Sequence, residues 1–171
     1  GIPAADGAIK TFPLSKGGVD IVFAMHGCLA PFDASSLSDG PRKNLLLRLP
    51  IVWEASWERI DLDIIALVQK HATTLFGQPM SEQDLAGRYK PCSEKKGTYP
   101  RQLKTKLVTE GFHAARFWDG EKRRLDPTTS TANSTYNVVC KVRALWVSTE
   151  NFGLVLDLTD LQVTDVAECP F

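Results

Sequence analysis

The sequence lacks most of the residue patterns that announce catalysis or metal binding. Its four cysteines (Cys28, Cys92, Cys140 and Cys169) form no Cys-x-x-Cys pair and have no histidine at ligand spacing, which argues against zinc. They would suffice for two disulfides, but no signal peptide supports an oxidising compartment. His26, His71 and His113 are isolated, and only His26 beside Cys28 offers a Cys/His pairing. There is no G-x-S-x-G elbow, no Walker loop and no paired-glycine fingerprint after a strand. Asp61 and Asp63 stand two apart on an expected helix, so they do not share a face. Apolar runs fall short of the ~20 residues of a membrane span, and the Asn133-Ser134-Thr135 sequon without a leader reads as chance. Gly1 stands where an initiating Met would, so we expect a processed or trimmed N-terminus. A non-enzymatic protein with no cofactor, no metal and no membrane partner is the expectation.

Net charge is absent too, with 20 Lys and Arg against 20 Asp and Glu. The balance hides a separation. Between Arg88 and Arg124 there are eleven Lys or Arg against four acids, a net of +7, whereas Thr149 to Phe171 holds five acids and no Lys or Arg. Such segregation makes a local field that the total conceals, although a patchwork of solvated surface charge would give the same counts.

What is present is a chain long enough, at 171 residues, to fold as one domain around its own core. Residues 1–18 carry Gly, Ala and Pro with little periodicity and are expected to form an irregular arm, leaving 19–171 as one domain. Val19, Ile21, Phe23 and Met25 alternate as a strand does, and 27–41 has the composition of a long loop. Leu45, Leu47 and Leu49 predict a second strand that ends at Pro50.

Trp57, Ile60, Ile64, Val68, Ala72 and Leu75 recur at helical spacing. They predict a core-packed helix over 56–76, capped by Ser56 and stopped by Gly77. A shorter helix is expected over 81–89.

Strands are expected over 102–107, and over 112–118 and 121–125 joined by a two-residue Asp119-Gly120 turn. A long strand over 136–147, with Tyr136, Val138, Cys140, Val142 and Trp146 on one face, should return through 152–163. The change of apolar phase near Asp160 predicts a bulge.

The basic segment interleaves cations with aromatic rings: Arg88, Tyr89, Lys90, Lys95, Lys96, Tyr99, Arg101, Lys104, Lys106, Phe112, Arg116, Phe117, Trp118, Lys122, Arg123 and Arg124. Cations that track phosphates and rings that stack bases are the two means of holding a single strand. Lys104 and Lys106, two apart on a strand, share a sheet face. The same rule puts Phe112, Arg116 and Trp118 together; the competing reading buries the two rings and leaves Arg116 at the rim. Arg42 and Lys43 would extend the groove.

Three stretches resemble the OB-fold single-stranded DNA-binding proteins of large DNA viruses and phages. They are Trp57-Glu58-Arg59-Ile60-Asp61 through Leu75-Phe76-Gly77, then Arg88-Tyr89-Lys90-Pro91 with Tyr99-Pro100-Arg101-Gln102-Leu103-Lys104-Thr105-Lys106, and Tyr136 to Val163 with Trp146 and Phe152-Gly153-Leu154. The resemblance implies an α+β, mainly β fold, namely a Greek-key OB-type barrel with one long and one short helix inserted between strands. It further implies sequence-tolerant binding of single-stranded nucleic acid, DNA in particular, in replication, recombination or repair, with coating along the strand or homo-oligomerisation. Such a protein acts inside the cell where DNA is replicated, in the host nucleus or cytoplasm if viral. A scaffolding module that self-associates through its acidic end and a neighbour's basic region is the alternative.

Overall fold

In the computed structural model, residues 9–34, 42–112, 114–126 and 132–166 are described. In chain order the elements begin with β1 (Lys10–Phe12), β2 (Ser15–Lys16), β3 (Val19–Asp20), β4 (Val22–Ala30) and β5 (Arg42–Arg48). Three helices follow, α1 (Glu54–Lys70), α2 (Ala72–Phe76) and α3 (Glu82–Arg88). The second half comprises β6 (Tyr89–Lys90), β7 (Ser93–Glu94), β8 (Gln102–Val108), β9 (Arg116–Trp118), β10 (Arg124–Leu125), β11 (Ser134–Val147) and β12 (Phe152–Val166).

Five of these strands close on themselves. β4 pairs with β5, β5 with β8, β8 with β12, β12 with β11 and β11 again with β4. Numbered along the barrel strands alone, the order is first, second, third, fifth, fourth and back to first. Only the β8–β12 pairing within this ring is parallel. This is the Greek-key closure of an OB-type barrel, as the resemblance implies, with all three helices between its second and third strands.

The interior follows from strand alternation. Leu45 and Leu47 of β5, Leu103, Thr105 and Leu107 of β8, and Leu154, Leu156 and Leu158 of β12 point inward and are buried. The buried hydroxyl of Thr105 donates to the Leu45 carbonyl at 2.8 Å, so its inward position leaves no orphan donor. α1 packs onto this core through Trp57, Ile64, Ile65 and Val68, with the Trp57 ring 5.4 Å from that of Phe23.

Several expectations are corrected by the backbone. Of the irregular arm expected over 1–18, residues 1–8 lie outside the described residues, while Lys10–Phe12 pairs with β11 and a small hairpin joins β2 to β3 over Gly17 and Gly18. β4 runs on through Gly27, which the composition assigned to a loop. There His26 and Gly27 face the single residue Asn137, and Gly27 takes φ +74 while its N–H donates to Asn137 Oδ1 at 3.1 Å. A bulge of this kind uses the conformational freedom of glycine to bend a strand without ending it.

Ser56 caps nothing. A 3-10 turn over Ile51–Trp53 leads straight from Pro50 into α1, which therefore begins before Ser56. His71 at φ −110 then separates α1 from α2, and Gly77 at φ +79 ends α2 as a left-handed cap. Ser81 does cap α3, its hydroxyl accepting from the Asp84 N–H at 3.1 Å.

The 119–120 turn is also replaced. Trp118 pairs with Arg124, so the connection is a five-residue loop. The Asp119 carboxylate accepts from the N–H groups of Glu121 and Arg123 at 2.8 and 2.9 Å, and Lys122 adopts φ +64. The bulge near Asp160 is present: Cys140 faces Leu158 and Val139 faces Asp160, which leaves Thr159 as the extra residue. A second irregularity, between Val142 and Ala144, reverses the phase of β11. Leu145 and Val147 are buried in consequence, and Trp146 turns away from the face it shared with Tyr136.

Candidate nucleic-acid interface

The outward face of the barrel at β5 and β8 is set by register. Arg42, Asn44, Leu46 and Arg48 stand opposite Val108, Lys106, Lys104 and Gln102. All eight alternate away from the buried positions, so a strip of mixed apolar and cationic side chains crosses both strands. β12 lies beside β8, with Asp157 in register with Lys106.

Two grooves lie side by side on this face. The first encloses about 720 Å³ over Asn44, Leu46, Lys104, Lys106 and Val155, with Lys90, Phe32, Trp146 and Ile9 among its walls. Phe32 is 62% exposed. Lys106 is hydrogen-bonded to Asn44, and the Lys104 ammonium lies 3.3 Å from Glu94. Cations beside open aromatic surface are what a single strand requires: a charge for each phosphate and a face for a base.

The second groove, about 900 Å³, begins where the first ends. It is lined by Arg42, Val108, Phe112, Arg116, Arg124, Lys141, Arg143 and Asp157, among others. Phe112 stands on the connection before β9 and is almost wholly exposed. Carboxylates hold most of the cations here. Asp157 lies 3.1 Å from Arg42 and 3.7 Å from Arg143, and Asp20 lies 3.1 Å from Lys141. Asp160 receives Arg116 Nε at 2.9 Å and Nη2 at 3.0 Å, Trp118 Nε1 at 3.0 Å and the Thr159 hydroxyl at 3.0 Å. Burial pushes the Asp160 carboxyl up, but these three donors outweigh it and hold the group below its ordinary range.

The sequence-derived candidates divide accordingly. Lys90, Lys104 and Lys106 line the first groove; Arg42, Phe112, Arg116 and Arg124 line the second. Trp118 adjoins the second, tied to Asp160 and covered by the Arg124 guanidinium 5.2 Å from its ring. Phe112 and Trp118 do not share a strand face, since β9 begins only at Arg116.

Other candidates are structural. Phe117 is a core residue and offers no stacking surface. Tyr89 is buried against Phe152, and its hydroxyl donates to Asp61 at 2.6 Å. Arg101 is 7% exposed, donating to Ser93 and to Glu58 at 3.0 Å each. Lys43 alternates to the opposite side of β5 from Arg42 and Asn44.

The remainder stand outside both grooves. Arg88 donates to the Thr149 carbonyl and lies over Phe76. Lys95 pairs with Glu54, Lys96 with Glu94, and Arg123 with Asp119 and Glu121. Lys122 stands on the loop between β9 and β10, and Tyr99 is exposed between β7 and β8.

Four cationic or aromatic groove residues are not among the candidates: Phe32, Trp146, Lys141 and Arg143. The alternation of β11 does place Lys141 and Arg143 opposite its buried face, which was the available signal. Phe32 falls in a stretch of loop composition, and the bulge in β11 conceals the orientation of Trp146. Among the described residues, no cluster of His, Cys, Asp and Glu could hold a metal ion, and no helix is long and apolar enough to cross a membrane.

No protein-family model and no curated protein matches the chain. Solved structures do. The single-stranded DNA-binding protein from bacteriophage Enc34 in complex with ssDNA aligns at a TM-score of 0.58 and 11% identity, over 93% of this chain and 97% of that one. A C-terminal truncation of the Enc34 protein gives 0.58 and 12%, over 95% and 98%. Gp2.5, a single-stranded DNA-binding protein encoded by bacteriophage T7, gives 0.53 and 12%, over 90% and 91%. The chain is similar in fold to these phage proteins over nearly its whole length, an OB-type barrel with the same extent.

Proposed function

We propose that the chain binds single-stranded DNA with little regard to sequence, as a non-enzymatic protein of DNA replication, recombination or repair. The observation that carries this reading is the first groove, where Lys90, Lys104 and Lys106 adjoin Phe32 and Trp146 on the outward face of β5 and β8. That face is the one on which OB barrels accommodate oligonucleotides. The solved structures of similar fold include one in complex with ssDNA, which supports the same reading. In this role the lysines neutralise phosphates, Phe32 and Trp146 stack bases, and Leu46 and Val155 floor the site. A protein of this kind works inside the cell, where DNA is replicated.

The scaffolding alternative loses two of the five acids in its charge argument. Asp157 and Asp160, from the acidic end that would meet a neighbour, are paired within the chain to Arg42, Arg143 and Arg116.

The test is fluorescence anisotropy with a labelled single strand of ~30 nucleotides, longer than the ~4–16 that one OB fold covers. Titrations at two salt concentrations with duplex as competitor should show tight binding that weakens with salt and is not displaced by duplex. Absence of binding at low salt would refute the reading.

A further inference from the structure

The two grooves share a face but differ in electrostatic state. In the first, only Lys104 has a carboxylate partner among the described residues, Glu94, which Lys96 also approaches. In the second, four of the five cations are already held by acids: Arg42 and Arg143 by Asp157, Arg116 by Asp160, and Lys141 by Asp20. The fifth, Arg124, lies over the Trp118 ring. The acids come from two separate elements, β3 and β12, and the cations they hold line one cleft. That cleft continues the first groove along every strand of the face, from Asn44 to Arg42, Lys106 to Val108 and Val155 to Asp157.

We propose that the second groove is a latent subsite for the phosphates of a longer single strand, entered only when phosphate displaces the carboxylates of Asp20 and Asp157. This rests on the single-strand reading of the first groove. Each pair is partly solvated, with side-chain exposures of 38% and 25% for Arg42 and Asp157, and 40% and 63% for Lys141 and Asp20. Pairs of this kind are weak and exchange readily. The displaced carboxylate stays tethered nearby and repels the incoming phosphate, so a free oligonucleotide has little reason to enter. A strand already anchored in the first groove presents its next phosphates at high effective concentration and can do so. Exchange of one anion for another also releases few bound counterions, so the second groove adds little salt dependence.

Asp157→Asn and Asp20→Asn test this against the unaltered protein, with oligothymidylates of about 5 and about 16 nucleotides, the two ends of the range one OB fold covers. Asp157→Asn releases two arginines and should tighten 16-mer binding roughly threefold to tenfold, with Asp20→Asn giving a smaller gain. The salt slope for the 16-mer should steepen by about 0.7 for each phosphate newly neutralised. Binding of the 5-mer should not change. If Asp157→Asn fails to fold, the well-exposed Asp20 decides the matter. Unchanged or weaker 16-mer binding by the variants, with the unaltered protein binding normally, would overturn the latent subsite and leave the first groove standing. Failure of the unaltered protein to bind either strand would overturn both.

Discussion

Gly153 lies so close to the Trp146 indole that a β-carbon on it would sit 2.8 Å from Nε1, and 2.7 Å from the Lys90 carbonyl oxygen. Those residues face one another across β11 and β12. The missing side chain allows β6 to pair with β12 on one side while the indole lies against the strand and forms a wall of the first groove on the other. Gly153→Ala must therefore displace backbone or ring. Such overpacking typically costs about 1–3 kcal/mol, to be read as a lowered urea midpoint, and single-strand affinity should fall with it. A variant with the midpoint and affinity of the parent would show that this contact does not place Trp146.

Residues in the first groove and those outside it should separate cleanly by substitution. Phe32→Ala and Trp146→Ala should each weaken single-strand binding by about 1–3 kcal/mol. Lys104→Ala and Lys106→Ala should each reduce the salt slope by about 0.7. Tyr99→Ala, equally aromatic and well exposed but outside both grooves, should leave affinity and slope unchanged. Arg101→Ala should act on the fold instead, because it leaves Ser93 and part of Glu58 without their donor. Anisotropy for binding and urea unfolding for stability distinguish the two classes, and a loss of affinity in Tyr99→Ala equal to that in Trp146→Ala would refute the groove as the site.

How far the sequence carries can be judged from these same residues. Lys104 and Lys106 were legible because a period of two survives in β8, whose pairing with β5 is regular along its length. The period of two puts Trp146 on the wrong face because one irregularity between Val142 and Ala144 reverses everything after it. The barrel topology followed from the resemblance rather than from the strand pattern, since alternation does not say which strands pair. Burial separated Tyr89, Phe117 and Arg101 from the exposed members of the same basic-aromatic segment, and charge counts carry no information about burial. The opposition of a basic middle and an acidic end was real in sequence. Folding brings Asp160 onto Arg116 of the basic middle, but Asp157 onto Arg42 and Arg143 outside it, so the second groove is largely neutralised by pairings that the segment counts do not show.

The three described cysteines should be inert in the native state. Cys28, Cys92 and Cys140 are free and buried. Burial pushes the thiols of Cys28 and Cys92 up to about 12, and that of Cys140 further up. A thiolate is the reactive species, so neither access nor ionisation favours attack. In a Cys169→Ser background, a thiol reagent at pH 8 should label these three only as the protein unfolds, with one rate for all. Rapid native labelling of Cys92, whose Sγ donates to the Leu154 carbonyl at 3.0 Å, would show that the β12 side of the core opens locally.

Asp61 should make the protein less stable as pH rises. Burial pushes its carboxyl above the ordinary range, and the opposing contributions of the Tyr89 hydroxyl, Arg101 and Ser93 do not cancel that effect. A carboxyl whose folded value exceeds its unfolded value of about 3.9 binds more protons in the folded state between the two. Its contribution to stability is complete below the unfolded value and is lost as pH rises through the folded one. Asp160 works the other way, because its lowered folded value makes it lose stability as pH falls. The whole-protein profile mixes these opposite trends, so the measurement is a difference. Asp61→Asn keeps an oxygen to accept from Tyr89 but removes the ionisation. Its stability relative to the parent, from urea unfolding at pH 4 through 7, should rise with pH from the unfolded value and level off once the folded carboxyl has ionised. A difference that stays constant over that range would mean that Asp61 titrates alike in the folded and unfolded chain, and that its burial is relieved by water.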